Sequence, residues 1–452
     1  MFRLAAEIVA GGGRVITTTT TRIFEAQTAL APLHLAASEA TPERLADALG
    51  RTGHVLVTGL VDRAAGKALA VPLEWISRFK AVPGEPVVLI EADGARMRPF
   101  KAPAEHEPVI PAETTLVVLV VGADVFGQPL DDEHVHRASR VAELAGWALG
   151  APITPELVAR IVAHPSGGLK GVPDSARVIS LINKIDLAAT LGPAREAAVR
   201  LLQNGRLEAV VLGHVGREPP AAGLTVASDA AAPVTEVWGR VAGLVLAAGQ
   251  SSRMGRLKQT LPWGDGGTVL GEVVRRLRQV SGVSEVVVVT GHSREAVEAG
   301  VAAAGQPDGA PEHGAPVRCV FNPNFAGAEM GRSLQVGLEA LPDNCLGALV
   351  ALGDQPQIRP EVVGQLLQRW RETQAPVVAP FYQGQRGHPL LFDRATWELV
   401  RALPDDANPR QVVQAVGAIE RVEVDDDSIL RDMDTPEAYA REAAEAGTGI
   451  IR

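Results

Sequence analysis

The sequence has 452 residues, of which 46% are hydrophobic and 21% are charged. A chain of this length is expected to form two or three domains, and its ordinary composition excludes a fibre or a largely disordered protein. The net charge of −10 comes without a basic tail or stripe, so a nucleic-acid partner is not expected.

Composition also limits the cellular setting. Two cysteines, Cys319 and Cys345, cannot build a disulfide framework or a cysteine-rich zinc site. The longest aliphatic runs, such as residues 116–121, are far shorter than the roughly 20 residues that span a bilayer. Glu7 and the glycines at 11–13 are unlike a signal peptide. We therefore expect a cytoplasmic protein without a membrane partner.

The first half alternates short β-branched runs with stretches rich in Ala, Leu, Arg and Glu. Continuous apolar strands that alternate with helices predict mostly parallel sheets covered on both faces. The predicted strands are residues 15–21, 55–59, 87–92, 116–121, 178–182 and 209–212. The sequence therefore predicts a three-layer α/β/α domain over residues 1–215.

Polar motifs follow several of these strands. Glu-Ala-Asp-Gly at 91–94 ends one strand, where an acidic side chain is suited to Mg²⁺. Asn-Lys-x-Asp at 183–186 ends another, and in GTPase-like folds the aspartate of this motif pairs with a guanine edge. Residues 101–111 form a rigid, polar run. The five threonines at 17–21 are most simply the end of a β-branched strand.

Together with Gly-Ala-Asp at 122–124, these motifs resemble the YqeC-like accessory proteins of selenium-dependent hydroxylases. The resemblance implies a role in hydroxylase maturation, with an apo-molybdenum hydroxylase as partner, but no defined reaction. Members open with a strand and a Gly-Gly-Lys-Thr phosphate loop, which are missing before the helix predicted at residues 2–10. Either the start codon is placed too late or the domain has lost its phosphate-binding loop. As given, residues 1–215 are expected to bind nucleotides poorly.

Residues 216–239 contain small residues, prolines and few large apolar side chains, which predicts an exposed linker. The alternation of strands and helices then restarts. The strands predicted after the linker are residues 242–248, 285–290, 317–321, 348–352 and 377–379. A second three-layer α/β/α domain is therefore predicted over residues 240–452.

The strand at 242–248 continues into a loop of small residues that carries two cations, Arg253 and Lys258. Small side chains let backbone N–H groups approach phosphate oxygens, an arginine grips them in a fork, and a lysine supplies a movable charge. Phosphoryl and nucleotidyl transfer depend on this positioning and neutralisation. The alternative is a strand-to-helix turn with two solvated cations. The loop is not a Walker loop.

Aspartates that are candidate site residues stand at two further points of this half. Asp354 follows a hydrophobic strand, at the sheet edge where α/β proteins bind ligands, and a lone carboxylate there suits Mg²⁺. The alternative is a cap of the next turn. Asp432 and Asp434 precede a helix start at Thr435-Pro436.

Residues 246–258 resemble the signature of the MobA-like nucleotidyltransferases, and Ala-Ala-Gly at 247–249 with Ser251 is most similar to the molybdenum cofactor cytidylyltransferases. The resemblance implies a Rossmann-like nucleotidyltransferase fold, Mg²⁺, and transfer of CMP from CTP to molybdopterin. It also implies a second carboxylate from Asp432 or Asp434, and Asn322 near the nucleotide. The implied roles are catalytic for Arg253, Lys258 and Asp354, nucleotide-binding for Ala247, Ala248, Gly249, Ser251 and Ser333, acceptor-binding for His388, and metal-binding for Asp354 and Asp434.

Two other functions stay open. A guanylyl or sugar-phosphate nucleotidyltransferase would share the loop, because base and acceptor selectivity depend on few loop atoms. A non-catalytic accessory protein would carry cofactor or nucleotide to an apo-hydroxylase. Ala248 stands where guanylyl relatives carry Gly, and its methyl group is expected to narrow the base pocket against a purine, which favours CTP.

Overall fold

The chain folds into two units, Met1–Trp238 and Gly239–Arg452. The structure is a computed structural model that describes residues 1–215, 233–249, 254, 256–264, 267–304, 314–325, 330–404, 407 and 409–447. Both units combine helices with mostly parallel strands, so the predicted α/β class is confirmed. Every strand predicted above is present, and Val317–Phe321 has its predicted bounds.

The N-terminal unit begins with a helix, as predicted for residues 2–10. Its helices are α1 (Phe2–Ala10), α2 (Pro42–Thr52), α3 (Glu74–Lys80), α4 (Ala138–Ala145), α5 (Pro155–Val162) and α6 (Gly192–Leu202). Its strands are β1 (Val15–Thr19), β2 (Ile23–Phe24), β3 (His34–Ala36), β4 (His54–Thr58), β5 (Val61–Asp62), β6 (Lys67–Ala68), β7 (Val87–Glu91), β8 (Phe100–Lys101), β9 (Leu116–Gly122), β10 (Val135–His136), β11 (Arg177–Asn183) and β12 (Ala209–Gly213).

Seven of these strands form two parallel groups, and each group has its own core. The first has the order β3-β4-β1-β7 and packs against α2 and α3. The second has the order β12-β11-β9 and packs one face against α4, α5 and α6. On the other face of β9, Leu116, Val118 and Val120 are 43%, 41% and 58% exposed, so the helices of the described residues leave this face of the strand open.

Strand β13 (Val234–Ala247) carries the chain from the first unit into the second. It starts at Val234, inside the linker predicted for residues 216–239. Residues 234–238 form a strand because four of the five are β-branched or aromatic, and they bind within the first unit. Arg195 Nε donates to Glu236 Oε1 at 2.9 Å, and Trp238 Nε1 donates to Glu236 Oε2 at 2.8 Å. The linker residues 216–232 lie outside the described residues.

The C-terminal unit continues from β13. Its further strands are β14 (Pro262–Trp263), β15 (Gly267–Thr268), β16 (Val283–Thr290), β17 (Val317–Phe321), β18 (Cys345–Leu352), β19 (Val377–Tyr382), β20 (Gln385–Arg386), β21 (Leu390–Asp393) and β22 (Ile419–Glu423). Its helices are α7 (Val269–Gln279), α8 (Arg294–Ala304), α9 (Met330–Glu339), α10 (Pro360–Thr373), α11 (Trp397–Arg401), α12 (Pro409–Val416) and α13 (Pro436–Glu445).

Seven of these strands form a sheet covered on both faces. Their order is β17-β16-β13-β18-β21-β19-β22, and β21 is antiparallel to both neighbours. Successive residues of β13 face opposite sides, so Val245 packs with α7, α8 and α10 while Leu244 packs with α9, α11 and α12. Strands β13, β16, β17 and β18 run in parallel, which brings their carboxyl ends to one edge of the sheet.

Hydroxyl caps and prolines start several helices. Thr435 accepts a hydrogen bond from Ala438 N at 3.2 Å, and Pro436 opens α13 as predicted. Thr268 caps α7 in the same way by accepting from Gly271 N at 3.0 Å. Within the described part of the chain, no helix is both long and apolar enough to cross a membrane.

Candidate functional site

The carboxyl ends of β13 and β18 form the floor of the candidate site. The two strands pair in parallel up to Leu246 and Leu352. Ala247, the last residue of β13, and Asp354, two residues after β18, therefore lie at the same edge. Gly353 N donates to Leu246 O at 3.0 Å, and a Cβ at position 353 would lie only 3.0 Å from that oxygen. Glycine at this position therefore lets the β18 loop lie close to the end of β13.

Lys258 joins two carboxylates at this edge. It lies in a short 3₁₀ turn, Lys258–Thr260, and its Nζ donates to Asp354 Oδ2 at 3.2 Å and to Asp434 Oδ1. The Lys258 side chain is only 10% exposed, against 23% for Asp354 and 40% for Asp434. The structure therefore brings together three of the predicted site residues, although they are far apart in the sequence.

The electrostatics of Lys258 follow from this contact. Burial alone would lower the pKa of its ammonium group, but the hydrogen bond and charge of Asp434 and of Asp354 outweigh that effect and raise the pKa above its usual value. Lys258 is therefore positively charged at neutral pH. A fixed positive charge beside two carboxylates can neutralise phosphate oxygens.

A small hydrophobic cluster positions Asp434. Met433 is fully buried and packs with Met254, Trp263 and Tyr439. The Tyr439 hydroxyl also donates to Pro262 O at 2.7 Å, which ties α13 to the segment after Lys258. With Met433 held inside, Asp434 contacts Lys258 while Asp432 is exposed. Of the two aspartates left open by the sequence, Asp434 is the one beside Asp354.

Three of the predicted nucleotide-binding residues, Ala247, Ala248 and Gly249, lie at the end of β13. Ala247 and Ala248 are buried, and Gly249 is exposed just beyond the strand. A Cβ at Gly291 would come within 2.7 Å of the Ala248 methyl group, so that methyl group lies against the chain at Gly291. Ser251 and Arg253 lie outside the described residues.

Ser333 pairs with another buried polar side chain. It lies in α9, is 7% exposed, and its hydroxyl accepts a hydrogen bond from Asn322 Nδ2 at 3.1 Å. Asn322 is itself fully buried after β17, and its backbone N donates to Thr290 O at 2.8 Å. The two side chains therefore support the loop after β17 through each other.

His388 lies between β20 and β21, next to the segment that leads to Asp434. Its backbone N donates to Ile429 O at 3.0 Å. Burial, with a smaller effect of the Arg386 charge, lowers the pKa of His388 to about 4. The ring is therefore neutral at neutral pH, so it can exchange hydrogen bonds with a ligand but carries no charge.

Asp354 and Asp434 have the chemistry of a magnesium site. Their hard carboxylate oxygens converge on one cationic nitrogen, and Mg²⁺ in proteins takes one or two carboxylates and completes its shell with water and phosphate oxygens. The described residues include no group of three or more His, Cys, Asp or Glu side chains suited to a metal. These two residues could therefore hold Mg²⁺ together with a bound phosphate.

In the N-terminal unit, cations hold the predicted rigid run at residues 101–111. Lys101 Nζ donates to Asp93 Oδ1 at 2.5 Å and to Glu107 Oε2 at 3.3 Å. Burial alone would raise the pKa of Glu107, but its bonds to Arg137 and Lys101 lower that pKa to about 2. Lys170 Nζ donates to three backbone carbonyls of the run, those of residues 104, 105 and 107, at 2.5–2.7 Å. The run is therefore a fixed loop.

The Asn-Lys-x-Asp motif also makes internal contacts. Asn183 Oδ1 accepts from Val215 N at 2.9 Å, and Lys184 Nζ donates to Asp124 Oδ2 at 2.9 Å. Asp186 is exposed beyond β11. The first two residues of the motif thus fix the loops, and the aspartate is accessible to solvent.

Sequence reasoning missed the residues that surround Met433. Met254, Trp263 and Tyr439 come from separate stretches of chain, so no spacing pattern in the sequence indicates that they pack around Met433. The available signal was Met433 itself, because an apolar residue between two aspartates in a polar stretch indicates an anchor.

Comparison with known families agrees with this geometry. A family model described as MobA-like NTP transferase domain matches residues 243–422. A second model, described as YqeC protein, matches residues 1–139. The C-terminal unit is therefore a nucleotidyltransferase domain, which is the class of protein that its sheet edge and charged site indicated.

Individual relatives match each half. "Uncharacterized protein YqeC" of Escherichia coli is 31% identical over 48% of this chain and 84% of its own length. "Molybdenum cofactor cytidylyltransferase" of E. coli is 25% identical over 43% of this chain and 92% of its own length. "Purine catabolism protein PucB" of Bacillus subtilis is 29% identical over 44% of this chain and 93% of its own length. The chain belongs to the YqeC family and carries a MobA-like NTP transferase domain in its C-terminal half.

Proposed function

We propose that the C-terminal unit transfers CMP from CTP to molybdopterin, with Mg²⁺, and releases molybdopterin cytosine dinucleotide and pyrophosphate. The observation that carries this proposal is the contact of Lys258 with Asp354 and Asp434 at the carboxyl edge of a nucleotidyltransferase sheet. The choice of cytidylyl transfer draws on the similarity to the E. coli molybdenum cofactor cytidylyltransferase and on Ala247-Ala248-Gly249.

The reaction needs no protein nucleophile. An oxygen of the molybdopterin phosphate attacks the α-phosphorus of CTP, a new P–O bond forms, and the bond to the leaving pyrophosphate breaks. Lys258 binds and neutralises phosphate oxygens as their charge shifts toward the leaving group. Asp354 and Asp434 would hold Mg²⁺, which when bound draws the phosphates of the nucleotide together.

The remaining predicted residues take supporting roles in this proposal. Arg253 grips phosphate oxygens, and the chain at Ala247–Gly249 with Ser251 seats the nucleotide. Ser333 supports the loop after β17 through Asn322. Neutral His388 offers the acceptor a hydrogen bond without adding charge, which suits a group that must not compete with Lys258 for phosphate.

The N-terminal unit is proposed to assist maturation of the same molybdenum hydroxylases in the cytoplasm. Membership of the YqeC family supports a link to this pathway, and a selenium-dependent step on an apo-hydroxylase is the form we propose. The fixed loop at residues 101–111 is the element of this unit most suited to contact a partner, because its shape does not depend on binding.

A competition experiment tests the proposed reaction. The full chain is supplied with molybdenum-loaded molybdopterin, Mg²⁺, and CTP and GTP at equal concentration, and product dinucleotides are separated by chromatography. We expect the cytosine dinucleotide in excess by about 5- to 150-fold, the range that overpacking of one methyl group gives. Guanine dinucleotide as main product would overturn the choice of CTP. No pyrophosphate with any nucleotide would overturn transfer and favour a carrier.

A further inference from the structure

One ammonium group contacts both proposed metal ligands. Lys258 Nζ donates to Asp354 Oδ2 at 3.2 Å and to Asp434 Oδ1, and only a tenth of the lysine side chain is exposed. The position where these two carboxylates converge is therefore filled by a positive charge from the protein itself. A divalent cation bound by the same oxygens would lie against that charge.

We propose that Lys258 keeps Asp354 and Asp434 paired until nucleotide arrives, so that the metal ion enters this site with the triphosphate and not before it. The inference rests on the proposed function only in taking these two aspartates as the metal ligands. It assigns Lys258 two partners in turn, the carboxylates first and the phosphates afterwards, and it sets the order in which metal and nucleotide bind.

The side chains are suited to this exchange. A lysine has a flexible four-carbon stem and three donors, so its ammonium group can move between neighbouring oxygens while the backbone stays in place. The backbone of Lys258 is fixed, because Thr260 N donates to Leu257 O at 3.2 Å and Leu261 N donates to Lys258 O at 3.1 Å. A triphosphate offers the lysine several negative oxygens at once, which releases both carboxylates for the metal.

Without a triphosphate, the metal must compete with the lysine. Two cations that share the same pair of carboxylates repel each other, and this repulsion is strong where the site is half-buried. Free divalent cations should therefore bind weakly to the nucleotide-free protein. Removing the charge at position 258 should make the two carboxylates available, and a gain of about tenfold in affinity corresponds to the loss of one favourable charged hydrogen bond.

The experiment measures Mn²⁺ binding directly, by electron paramagnetic resonance of free Mn²⁺, on the full chain without nucleotide or acceptor. Lys258→Met is expected to bind one Mn²⁺ about tenfold or more tightly than the wild-type protein. Lys258→Arg keeps the charge and should bind as weakly as wild type. The matched control is Lys80→Met, which removes an exposed lysine of α3 and should change nothing. Adding Asp354→Asn to Lys258→Met should abolish the gain.

A second measurement uses the unmodified protein. Inorganic tripolyphosphate, which has no base, should raise the affinity of the wild-type protein for Mn²⁺ beyond the binding of Mn²⁺ to tripolyphosphate alone. Equal Mn²⁺ affinity of wild type and Lys258→Met, or tight binding by wild type that tripolyphosphate leaves unchanged, would overturn the proposal. Neither assay involves cytosine or molybdopterin, so a failure of the proposed reaction would leave these results unaffected.

Discussion

Asp354→Asn should separate catalysis from folding in the C-terminal unit. The substitution keeps the size of the side chain but removes the charge that faces Lys258 Nζ at 3.2 Å. Lys258 retains Asp434, so the stability lost is at most one charged hydrogen bond at a partly exposed site, about 1 kcal/mol. For a unit of this size that amounts to a decrease in Tm of about 2–4 °C.

The expected effect on transfer is much larger. Asp354 is a proposed metal ligand, and loss of a preorganised charge at a catalytic site typically lowers kcat by about 10²–10³. Pyrophosphate release under saturating CTP and acceptor measures kcat, and scanning calorimetry measures Tm. Near-normal turnover in a folded Asp354→Asn protein would refute the assignment of the site.

The chain offers a matched control at the other end of the same strand. Asp343 precedes β18 as Asp354 follows it, and Asp343 is fully exposed in a surface pair with Arg394 at 3.3 Å. Asp343→Asn removes the same charge from the other end of the strand. Turnover and Tm should both stay at wild-type values, because exposed ion pairs contribute little. A loss of turnover here as large as in Asp354→Asn would mean that overall charge and not position decides the rate.

Three further predictions concern buried contacts. Met433→Ala should raise the Mg²⁺ concentration needed for half-maximal transfer and lower the stability of the cluster around Met433 by about 2–5 kcal/mol. Met433→Leu should restore both. A metal titration of kcat measures the effect on Mg²⁺. Burial and the Arg386 charge lower the pKa of His388 to about 4, so this residue binds its proton more weakly in the folded protein than in the unfolded chain. The free energy of unfolding should therefore fall as pH decreases from about 6.5 to about 4. Urea unfolding over this range should show a smaller fall for His388→Gln than for wild type. Lys170→Met should destabilise the N-terminal unit by about 1–3 kcal/mol and increase hydrogen exchange in residues 101–111, whereas Lys80→Met should not.

The strands and the sheet edge could be predicted because their signal is local. Buried parallel strands carry continuous β-branched runs, and residues 286–290 of β16 are such a run. Asp354 was placed at the edge because it comes two residues after the hydrophobic strand predicted at residues 348–352. The start of β13 was missed because Val234 follows a stretch rich in Ala, Gly and Pro, and composition averaged over that stretch indicated a linker.

The contacts within the site could not be predicted in the same way. Lys258 meets carboxylates that are 96 and 176 residues away in the sequence. The order of the strands brings Asp354 to it, and the cluster around Met433 brings Asp434. The surroundings of Ser333 depend on which face of α9 is turned inward, which the motif alone does not show. The Asn322 partner fixes that orientation in the structure.

The separation of Lys258 and Asp434 by 176 residues has a consequence for refolding. Contacts between distant parts of a chain form slowly, because the entropy of closing the intervening loop is lost before the contact stabilises anything. The parallel strands must assemble before α13 can dock on Trp263 and bring Asp434 to the lysine. After dilution from denaturant, the amides of β13, β16 and β18 should therefore gain protection first, and the binding of Mn²⁺ with tripolyphosphate should return in a later phase.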